Sequence, residues 1–352
     1  MPSSASTADA HNELKAARRK LLRLIARTRR VGSVTLGATP RELILDNQGF
    51  RLYYYPGCAE AAAQRPLLIV YSLINRPSIL DLSAKRSLIR AFRDRGRPTY
   101  LIEWKDPRPH DRFVSLDDYI CDYIDRCADV LAERHPGREL DLLGVCQGGT
   151  FAVCYAALNP ERIGKLITLV TPVDFHAGAS TLYRLARDVD FERLTRVNGI
   201  ISADTLNSVY VGLKPYQLFA QRYVAMLDMN DDEALADFLR MERWMYDSPD
   251  QTGAAFCQFA RELYQENRLV RGSFELQGQR VDLARLTMPI RNVYAATDHL
   301  IPAPSAQALG SHCASKDYDE LVASGGHLGV FVSGASHKRL LPALADWLNQ
   351  PI

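Results

Sequence analysis

The stretch that decides the fold runs Leu140-Asp141-Leu142-Leu143-Gly144-Val145-Cys146-Gln147-Gly148-Gly149. Its first six residues are mostly apolar, as in a strand that is covered on both faces. Glycines then flank Cys146 closely, and a helix is predicted to follow from Thr150 to Leu158. A nucleophile in such a strand, turn and helix sits on a strained turn, and small neighbours let strand and helix pass closely. The stretch therefore predicts an exposed, reactive Cys146 at the end of a buried strand.

The rest of the chain alternates between predicted strands and helices. Strands are predicted at 67–71, 100–103, 140–145, 165–170, 289–294 and 318–322, and helices at 82–93, 116–134 and 340–348. Two further β-prone runs, 42–45 and 50–55, flank a predicted hairpin turn at 46–49. This alternation indicates a mostly parallel central sheet with helices on both faces. Together with a G-x-C-x-G turn, it predicts an α/β-hydrolase fold.

The alternation stops near residue 174, and residues 174–273 are helix-rich and aromatic. We predict a helical cap there, inserted into a catalytic core formed by residues 1–173 and 274–352. A self-packed helical subdomain and a mobile lid over the site both remain open for this insertion. Within the core, residues 1–30 predict a basic amphipathic helix with eight lysines and arginines. This helix either packs on the domain surface or contacts a partner subunit or an anionic surface.

Composition excludes several classes of protein. The net charge is +2, from 43 basic and 41 acidic residues, so no whole-chain field would hold nucleic acid. Seven cysteines at irregular spacing without a CxxC pair argue against a disulfide framework and suit a reducing cytosol. No apolar run approaches the ~18–20 residues of a transmembrane segment, and the N-terminus lacks the apolar core of a secretory signal. We therefore expect a cytoplasmic protein.

A nucleophile elbow calls for an acid and then a histidine later in the chain. Asp298 follows the predicted strand 289–294, and His327 lies in a glycine-rich loop after the last strand. These positions predict a triad of Cys146, Asp298 and His327, since the other histidines lack this context. A metal site at Asp298, His299 and His327 would lack the usual ligand spacing, so we expect no metal and no cofactor.

The same elbow predicts where an oxyanion would be held. The backbone N–H of Gln147, at the start of the helix, is placed to donate to it. The second donor in this fold usually comes from the loop after the third strand, here Ser72 to Pro77, and we predict the N–H of Ile74. Asn75 in this loop would either bind substrate or brace the loop.

Cysteine in place of serine narrows the expected chemistry. Attack of a thiolate on a thioester exchanges one thioester for another, so the acyl group stays activated and can pass to an alcohol. Such a site must exclude water to avoid hydrolysis, and the aromatic-rich insertion is suited to that task. The elbow therefore favours acyl transfer from a donor of the CoA type, with CoA as the leaving group.

At these residues the chain resembles the family of class III polyhydroxyalkanoate (PHA) synthase catalytic subunits, called PhaC. The resemblance covers nearly the whole chain. It is carried by residues 67–77, 144–149, 171–175, 241–250, 298–299 and 325–327.

The resemblance implies that the chain polymerises (R)-3-hydroxyacyl-CoA, with short monomers such as 3-hydroxybutyryl-CoA, into a polyester through an acyl-cysteine at Cys146. It further implies His327 as general base, Asp298 as third member, a second non-catalytic subunit of the PhaE type, a homodimer or hetero-oligomer, and association with cytoplasmic PHA granules. Two alternatives stay open: a cysteine-triad hydrolase of the dienelactone hydrolase or thioesterase type, and a non-catalytic granule-binding subunit.

Overall fold

The computed structural model describes residues 7–57, 64–196, 199–213, 216 and 221–352, and its centre is an eight-stranded sheet. The strands of this sheet are β1 Glu42–Asp46, β2 Phe50–Tyr55, β3 Leu67–Val70, β4 Thr99–Trp104, β5 Leu140–Val145, β6 Ile163–Leu169, β7 Ile290–Ala295 and β8 Tyr318–Ala323. Along the sheet they lie in the order β1-β2-β4-β3-β5-β6-β7-β8.

The direction of the strands divides the sheet into two parts. β1 and β2 form an antiparallel hairpin, and β2 pairs antiparallel with β4. From β4 to β8 every neighbouring pair is parallel. The carboxyl ends of the parallel strands therefore meet at one edge of the sheet, where ligands bind in open α/β sheets. The predicted α/β-hydrolase fold with a mostly parallel sheet is confirmed.

Helices cover both faces of the sheet. One apolar cluster joins Phe50, Leu68 and Leu142 to the helices at 118–134 and 147–158. The other cluster joins Leu67 and Leu143 to the helices at 88–93 and 341–349. The helices are α1 Thr7–Val31, α2 Leu88–Arg93, α3 Asp125–Arg134 (preceded by a π-helical turn, Asp118–Ile124), α4 Gln147–Leu158, α5 Thr181–Ala186, α6 Phe191–Thr195, α7 Ala203–Gly212, α8 Arg222–Leu227, α9 Asp232–Met245, α10 Gly253–Gln258 (continued by a π-helical turn, Phe259–Gln265), α11 Ala303–His312, α12 Gly329–Val332 and α13 Leu341–Asn349.

Between β6 and β7 the chain leaves the sheet and forms helices α5 to α10. A two-residue pairing joins Ile200–Ile201, between α6 and α7, to Gln251–Thr252, between α9 and α10. The domain boundaries at 173 and 274 stay a prediction. These helices and their connections contribute most of the residues that line the cavity described below.

The N-terminal helix α1 lies against α8 and α9 through charged side chains. Lys20 pairs with Asp228 at 2.5 Å, and Arg30 pairs with Asp232 at 2.7 Å. Leu24 is buried, whereas four other large apolar side chains of the helix are exposed: Leu14, Leu21, Leu22 and Ile25. Much of the apolar surface of α1 is therefore left in contact with solvent.

One predicted helix is shorter than expected. The residues from 82 to 87 do not join the predicted helix at 82–93, because Asp81–Ser83 and Arg86–Ser87 pair as a short antiparallel ribbon. The buried Asp81 carboxylate accepts hydrogen bonds from the Thr39 N–H at 2.8 Å and the Thr39 hydroxyl at 2.7 Å. Ser87 then caps α2 by accepting the Arg90 N–H. A contact with a residue 42 positions away thus replaces the first turns of the helix.

A buried group of charges holds the end of α13. Asp141 on β5 pairs with Arg97 at 2.8 Å and with Arg65 at 2.9 Å. Lys165 on β6 donates to the carbonyls of Trp347 and Gln350, both at 2.7 Å. Desolvation is the largest influence on both buried cations, and it lowers the pKa of Arg97 to about 10 and that of Lys165 to about 8.

Two further properties concern the chain as far as it is described. No helix in the described ranges is both long and apolar enough to cross a membrane. Six cysteines in these ranges carry free thiols, and Cys58 lies outside the described residues.

Candidate active site

The turn between β5 and α4 holds Cys146 in a strained conformation. Its φ is 54° and its ψ is −125°, a combination that only close packing maintains in a residue with a side chain. A Cβ on Gly148 would lie 2.5 Å from the carbonyl carbon of Tyr71. A Cβ on Gly149 would overlap the hydroxyl of Thr171. Glycine is therefore required at these positions, because backbone and side-chain atoms at the ends of neighbouring strands lie too close to admit a Cβ.

His327 and Asp298 meet next to this turn. The Nδ1 atom of His327 lies 2.7 Å from Oδ2 of Asp298. The other carboxylate oxygen of Asp298 accepts the N–H groups of Leu300 at 2.8 Å and Ile301 at 3.1 Å. The Asp298 side chain has no solvent-exposed surface. Its carboxylate thus orients the imidazole and is itself fixed by the backbone.

Electrostatics link His327 to the cysteine. Burial disfavours a charged imidazole, but the neighbouring Cys146 thiolate and Asp298 carboxylate outweigh it and raise the pKa of His327 from 6.5 to about 10. Cys146 is therefore near enough to this imidazole for their charges to interact. Burial also opposes ionisation of Asp298, yet its hydrogen bond to His327 holds the pKa of the carboxyl below its ordinary value. The arrangement places the Cys146 thiol near an imidazole that can accept its proton, which is the pairing that nucleophilic catalysis by cysteine requires.

The structure brings both predicted oxyanion residues to the cysteine but does not leave Ile74 free. Ile74, Gln147 and Cys146 line one cavity. However, the Ile74 N–H donates to the hydroxyl of Ser72 at 2.9 Å. An ST-type turn within the loop uses that N–H, and Ile74 as the second oxyanion donor stays a prediction. An oxyanion is a stronger acceptor than a neutral hydroxyl and would compete for it.

Asn75 braces its loop and is not among the residues that line the cavity. Its side-chain amide donates to the Ser248 hydroxyl at 2.8 Å and to the Met245 carbonyl at 3.3 Å. Its φ of 60° is a left-handed conformation that asparagine tolerates. Substrate binding by Asn75 is thus not supported, and the bracing alternative is the one that the contacts favour. The next residue is held similarly, since the Trp244 indole donates to the Arg76 carbonyl at 2.7 Å.

A cavity of about 370 Å³ opens at Cys146. Its walls are mostly apolar. They come from the core beside the cysteine and, over the larger part, from the helices and connections between β6 and β7: Leu182, Leu185, Val189, Leu194, Leu206, Val209, Phe256 and Phe259. Such a cavity suits a hydrocarbon-rich acyl group and offers little to hold water.

Some residues near the site were not identified from the sequence. Tyr71, Tyr210 and Tyr264 lie near Cys146, and burial, with a smaller effect of charge on Cys146, raises the pKa of each phenol. The side chains of Gln147 and Ser72 also contact the oxyanion loop. For Gln147 and Ser72, the only signal in the sequence was their position in the predicted elbow and in the predicted oxyanion loop. Across the described ranges, no group of three or more histidine, cysteine or acidic side chains is arranged to hold a metal ion.

The fold and the site define the class of protein. The family model of the alpha/beta hydrolase fold matches residues 66–333. Among solved structures, the chain is similar to a monoacylglycerol lipase from Paleococcus ferrophilus, with a TM-score of 0.53, 16% identity and coverage of 81% of this chain and 95% of that one. It is also similar to a meta-cleavage product hydrolase from Pseudomonas fluorescens IP01, with a TM-score of 0.51, 16% identity and coverage of 85% and 94%. At this identity the likeness supports the fold alone.

Sequence relatives identify the family within that class. The model described as the poly-beta-hydroxybutyrate polymerase (PhaC) N-terminus matches residues 12–92. The poly(3-hydroxyalkanoate) polymerase subunit PhaC of Allochromatium vinosum is 42% identical over 321 residues, covering 90% of both chains. The protein of that name from Synechocystis is 40% identical over 325 residues, covering 90% of this chain and 86% of the relative. The chain belongs to the PhaC family of poly(3-hydroxyalkanoate) polymerase subunits.

Proposed function

We propose that the chain polymerises (R)-3-hydroxyacyl-CoA into a poly(3-hydroxyalkanoate) and releases CoA, with the growing chain held as a thioester on Cys146. The observation that carries this proposal is a cysteine elbow paired with His327 and Asp298 at the end of an apolar cavity. Membership of the PhaC family supports the substrate class. No cofactor is invoked, since CoA is the leaving group of the substrate.

In the first step, the Cys146 thiolate attacks the thioester carbonyl. A carbon–sulfur bond forms to Cys146, and the carbonyl oxygen takes up the negative charge. The N–H of Gln147 donates to that oxygen, and the N–H of Ile74 transfers to it from Ser72. The bond to the CoA sulfur then breaks, and the proton on His327 passes to the departing thiolate.

In the second step, the 3-hydroxyl group of the next acyl unit attacks the acyl-cysteine. His327 accepts the hydroxyl proton, a carbon–oxygen bond forms, and the Cys146 thiolate leaves. The cysteine pairs again with the imidazolium, and the cycle repeats. Asp298 supports the charge that His327 gains in this step, since its carboxylate hydrogen-bonds to Nδ1.

The choice between transfer and hydrolysis depends on which acceptor reaches the acyl-cysteine. The α/β-hydrolase fold with this triad performs either reaction in principle, and water is the simpler acceptor. The apolar walls around Cys146 favour an acyl-bearing alcohol over water. This feature favours polymerisation over the hydrolase alternative.

The test is to incubate the purified protein with (R)-3-hydroxybutyryl-CoA and to follow three quantities: released CoA, turbidity and soluble 3-hydroxybutyric acid. We expect CoA release with turbidity from polymer. Cys146→Ala should release no CoA above the background, a loss of at least about 10⁴-fold. Free acid without polymer would instead identify a hydrolase, and normal turnover by Cys146→Ala would reject the acyl-cysteine.

We also propose the partners that the family implies: a second, non-catalytic subunit, an oligomeric catalytic chain and association with PHA granules in the cytoplasm. The exposed apolar side chains of α1, together with its many cations, are a feature that suits such contacts. Light scattering with and without a candidate second subunit would measure the assembly. A chain that stays monomeric in all mixtures, with full activity, would contradict this part of the proposal.

A further inference from the structure

The loop after β3 has to present its backbone to the reacting carbonyl, yet it contains no regular structure of its own. Ser72, Leu73 and Ile74 follow β3 with only Tyr71 between, and Asn75 has a left-handed φ. A loop of this kind keeps its shape only through contacts with its surroundings. Its outer end is fixed by Asn75 and Arg76, which bond to the segment around Ser248. Its inner end depends on a different residue.

The inner end is held by the side chain of Gln147. The amide oxygen Oε1 accepts the Leu73 N–H at 3.1 Å and the Ser72 hydroxyl at 3.3 Å. The same Ser72 oxygen accepts the Ile74 N–H at 2.9 Å. A continuous chain of donors thus runs from the Ile74 N–H through the Ser72 hydroxyl to Gln147. It fixes two consecutive peptide groups of the loop with one amide oxygen.

Gln147 also provides the other side of the proposed oxyanion site. Its backbone N–H is the first of helix α4, directly after the nucleophile. One residue therefore supplies one oxyanion donor through its backbone and positions the second through its side chain. Both Gln147 and Ser72 are at least 95% buried, at 5% and 2% exposure, so water has little access to replace a missing oxygen.

We propose that the side chain of Gln147, acting through Ser72, is a positioning residue for acyl transfer: it fixes the Ser72–Ile74 loop so that the Ile74 N–H is held beside Cys146 and can pass to the oxyanion. The inference rests on the proposed acyl transfer at Cys146. It does not depend on whether the acceptor is an alcohol or water, because both reactions begin with the same acylation.

The test compares two reactions of Cys146 in Gln147→Met, whose side chain is similar in length but has no amide oxygen. The burst of nitrophenolate from 4-nitrophenyl butyrate reports acylation, which develops an oxyanion. Alkylation by iodoacetamide also requires the Cys146 thiolate, but no oxyanion forms in that reaction. We expect the burst rate constant to fall about 10²-fold, as for loss of one oxyanion donor, and the alkylation rate to stay within about twofold. The substrate concentration that gives half the maximal burst rate should change little.

A matched control is Gln307→Met, which removes hydrogen bonds to Tyr294 and Glu320 far along the chain from the elbow. This variant should keep both rates. A burst within threefold of the unaltered protein in Gln147→Met would overturn the proposal, and so would a parallel loss of burst and alkylation, since that result indicates general distortion of the site.

A second pair of variants decides the question if Gln147→Met does not fold. Ser72→Thr keeps the hydroxyl and should retain the burst within about threefold, whereas Ser72→Ala should lose about tenfold with alkylation unchanged. Equal rates for the two would overturn the proposal.

Polymer formation is scored separately: a Gln147-dependent burst without polymer would reject the proposed function and leave this inference intact. Absence of a burst in the unaltered protein would reject both.

Discussion

The catalytic end of the core and the helices between β6 and β7 are built in opposite ways. Around the elbow, glycines touch neighbouring backbone, and Thr171 and the Asp298 side chain have no exposed surface. In the helical segment, short helices predominate, and apolar side chains that line the cavity are about half exposed: Leu185, Leu194 and Val209.

This difference assigns separate tasks to the two regions. Close packing at the elbow holds a few polar atoms within tenths of an ångström, which catalysis requires. Looser packing between β6 and β7 provides an apolar wall that adapts to acyl groups of varying shape. We therefore expect substitutions at the elbow to act on rate and folding, and substitutions in the helical segment to act on the choice and fit of substrate.

The largest contrast should come from one chemical change made in each region. Asp298→Asn removes the charge that supports His327, and we expect elongation to fall about 10³- to 10⁴-fold. Acylation should fall less, because an alcohol is far harder to deprotonate than a thiol. In the helical segment, Asp250→Asn keeps an acceptor for the Ala203 N–H and should change both steps less than threefold. Single-turnover labelling measures the two steps, and equal losses in Asp298→Asn would contradict this division.

Two glycine substitutions test packing in the same regions. Gly149→Ala places a methyl group on the buried Thr171 side chain, and we expect a loss of about 2–3 kcal/mol in the free energy of unfolding. Gly212→Ala, at the end of α7, meets no heavy atom within 4 Å among the described residues. It should gain about 0.5 kcal/mol, because alanine favours a helix. Urea unfolding measures both, and similar effects at the two positions would remove the contrast in packing.

The buried charges near the elbow make the free energy of unfolding depend on pH. The pKa of His327 is raised from 6.5 to about 10 in the folded protein, so its charged form stabilises the fold fully below pH 6.5. That contribution is lost as the pH rises through about 10. The difference in unfolding free energy between the unaltered protein and His327→Gln should therefore narrow as the pH rises from 6.5 to about 10.

Cys146→Ala is the control for this effect. The Cys146 thiolate is the largest influence that raises the His327 pKa, so in its absence the narrowing should still begin near pH 6.5 but end at a lower pH. A profile that is unchanged by Cys146→Ala would show that the two groups are not coupled.

The smallest effect on folding is expected at the exposed wall of the cavity. Leu194→Ala should change the free energy of unfolding by no more than about 0.5 kcal/mol, since half of this side chain is in solvent. It should still raise the KM for longer acyl-CoA substrates a few-fold more than for short ones. The same KM change for all chain lengths would argue that this wall does not contact the acyl group.

Much of the core could be predicted from the sequence because its signals are local. The apolar run of β5 and the glycines around Cys146 identify strand, turn and helix within ten residues. The ends of β7 and β8 then place Asp298 and His327 at the same edge of the sheet, since carboxyl ends of parallel strands meet there.

The features that were missed depend on contacts between distant residues. The ribbon at 81–87 forms because Asp81 bonds to Thr39, and no periodicity in either segment shows that pairing. Gln147 and Ser72 are 75 positions apart, and so the second role of Gln147 could not be predicted from the motif. Asn75 likewise depends on Ser248, which is 173 residues further along the chain.

That last contact has a consequence for the loop that carries Ile74. The segment from Trp244 to Ser248 bonds to both Asn75 and Arg76, so it shares one set of hydrogen bonds with the loop that carries Ile74. A displacement of this segment would remove the bonds that hold the outer end of the loop and leave only those from Gln147 at its inner end. The position of the backbone beside Cys146 is thus coupled to a segment some 170 residues further along the chain.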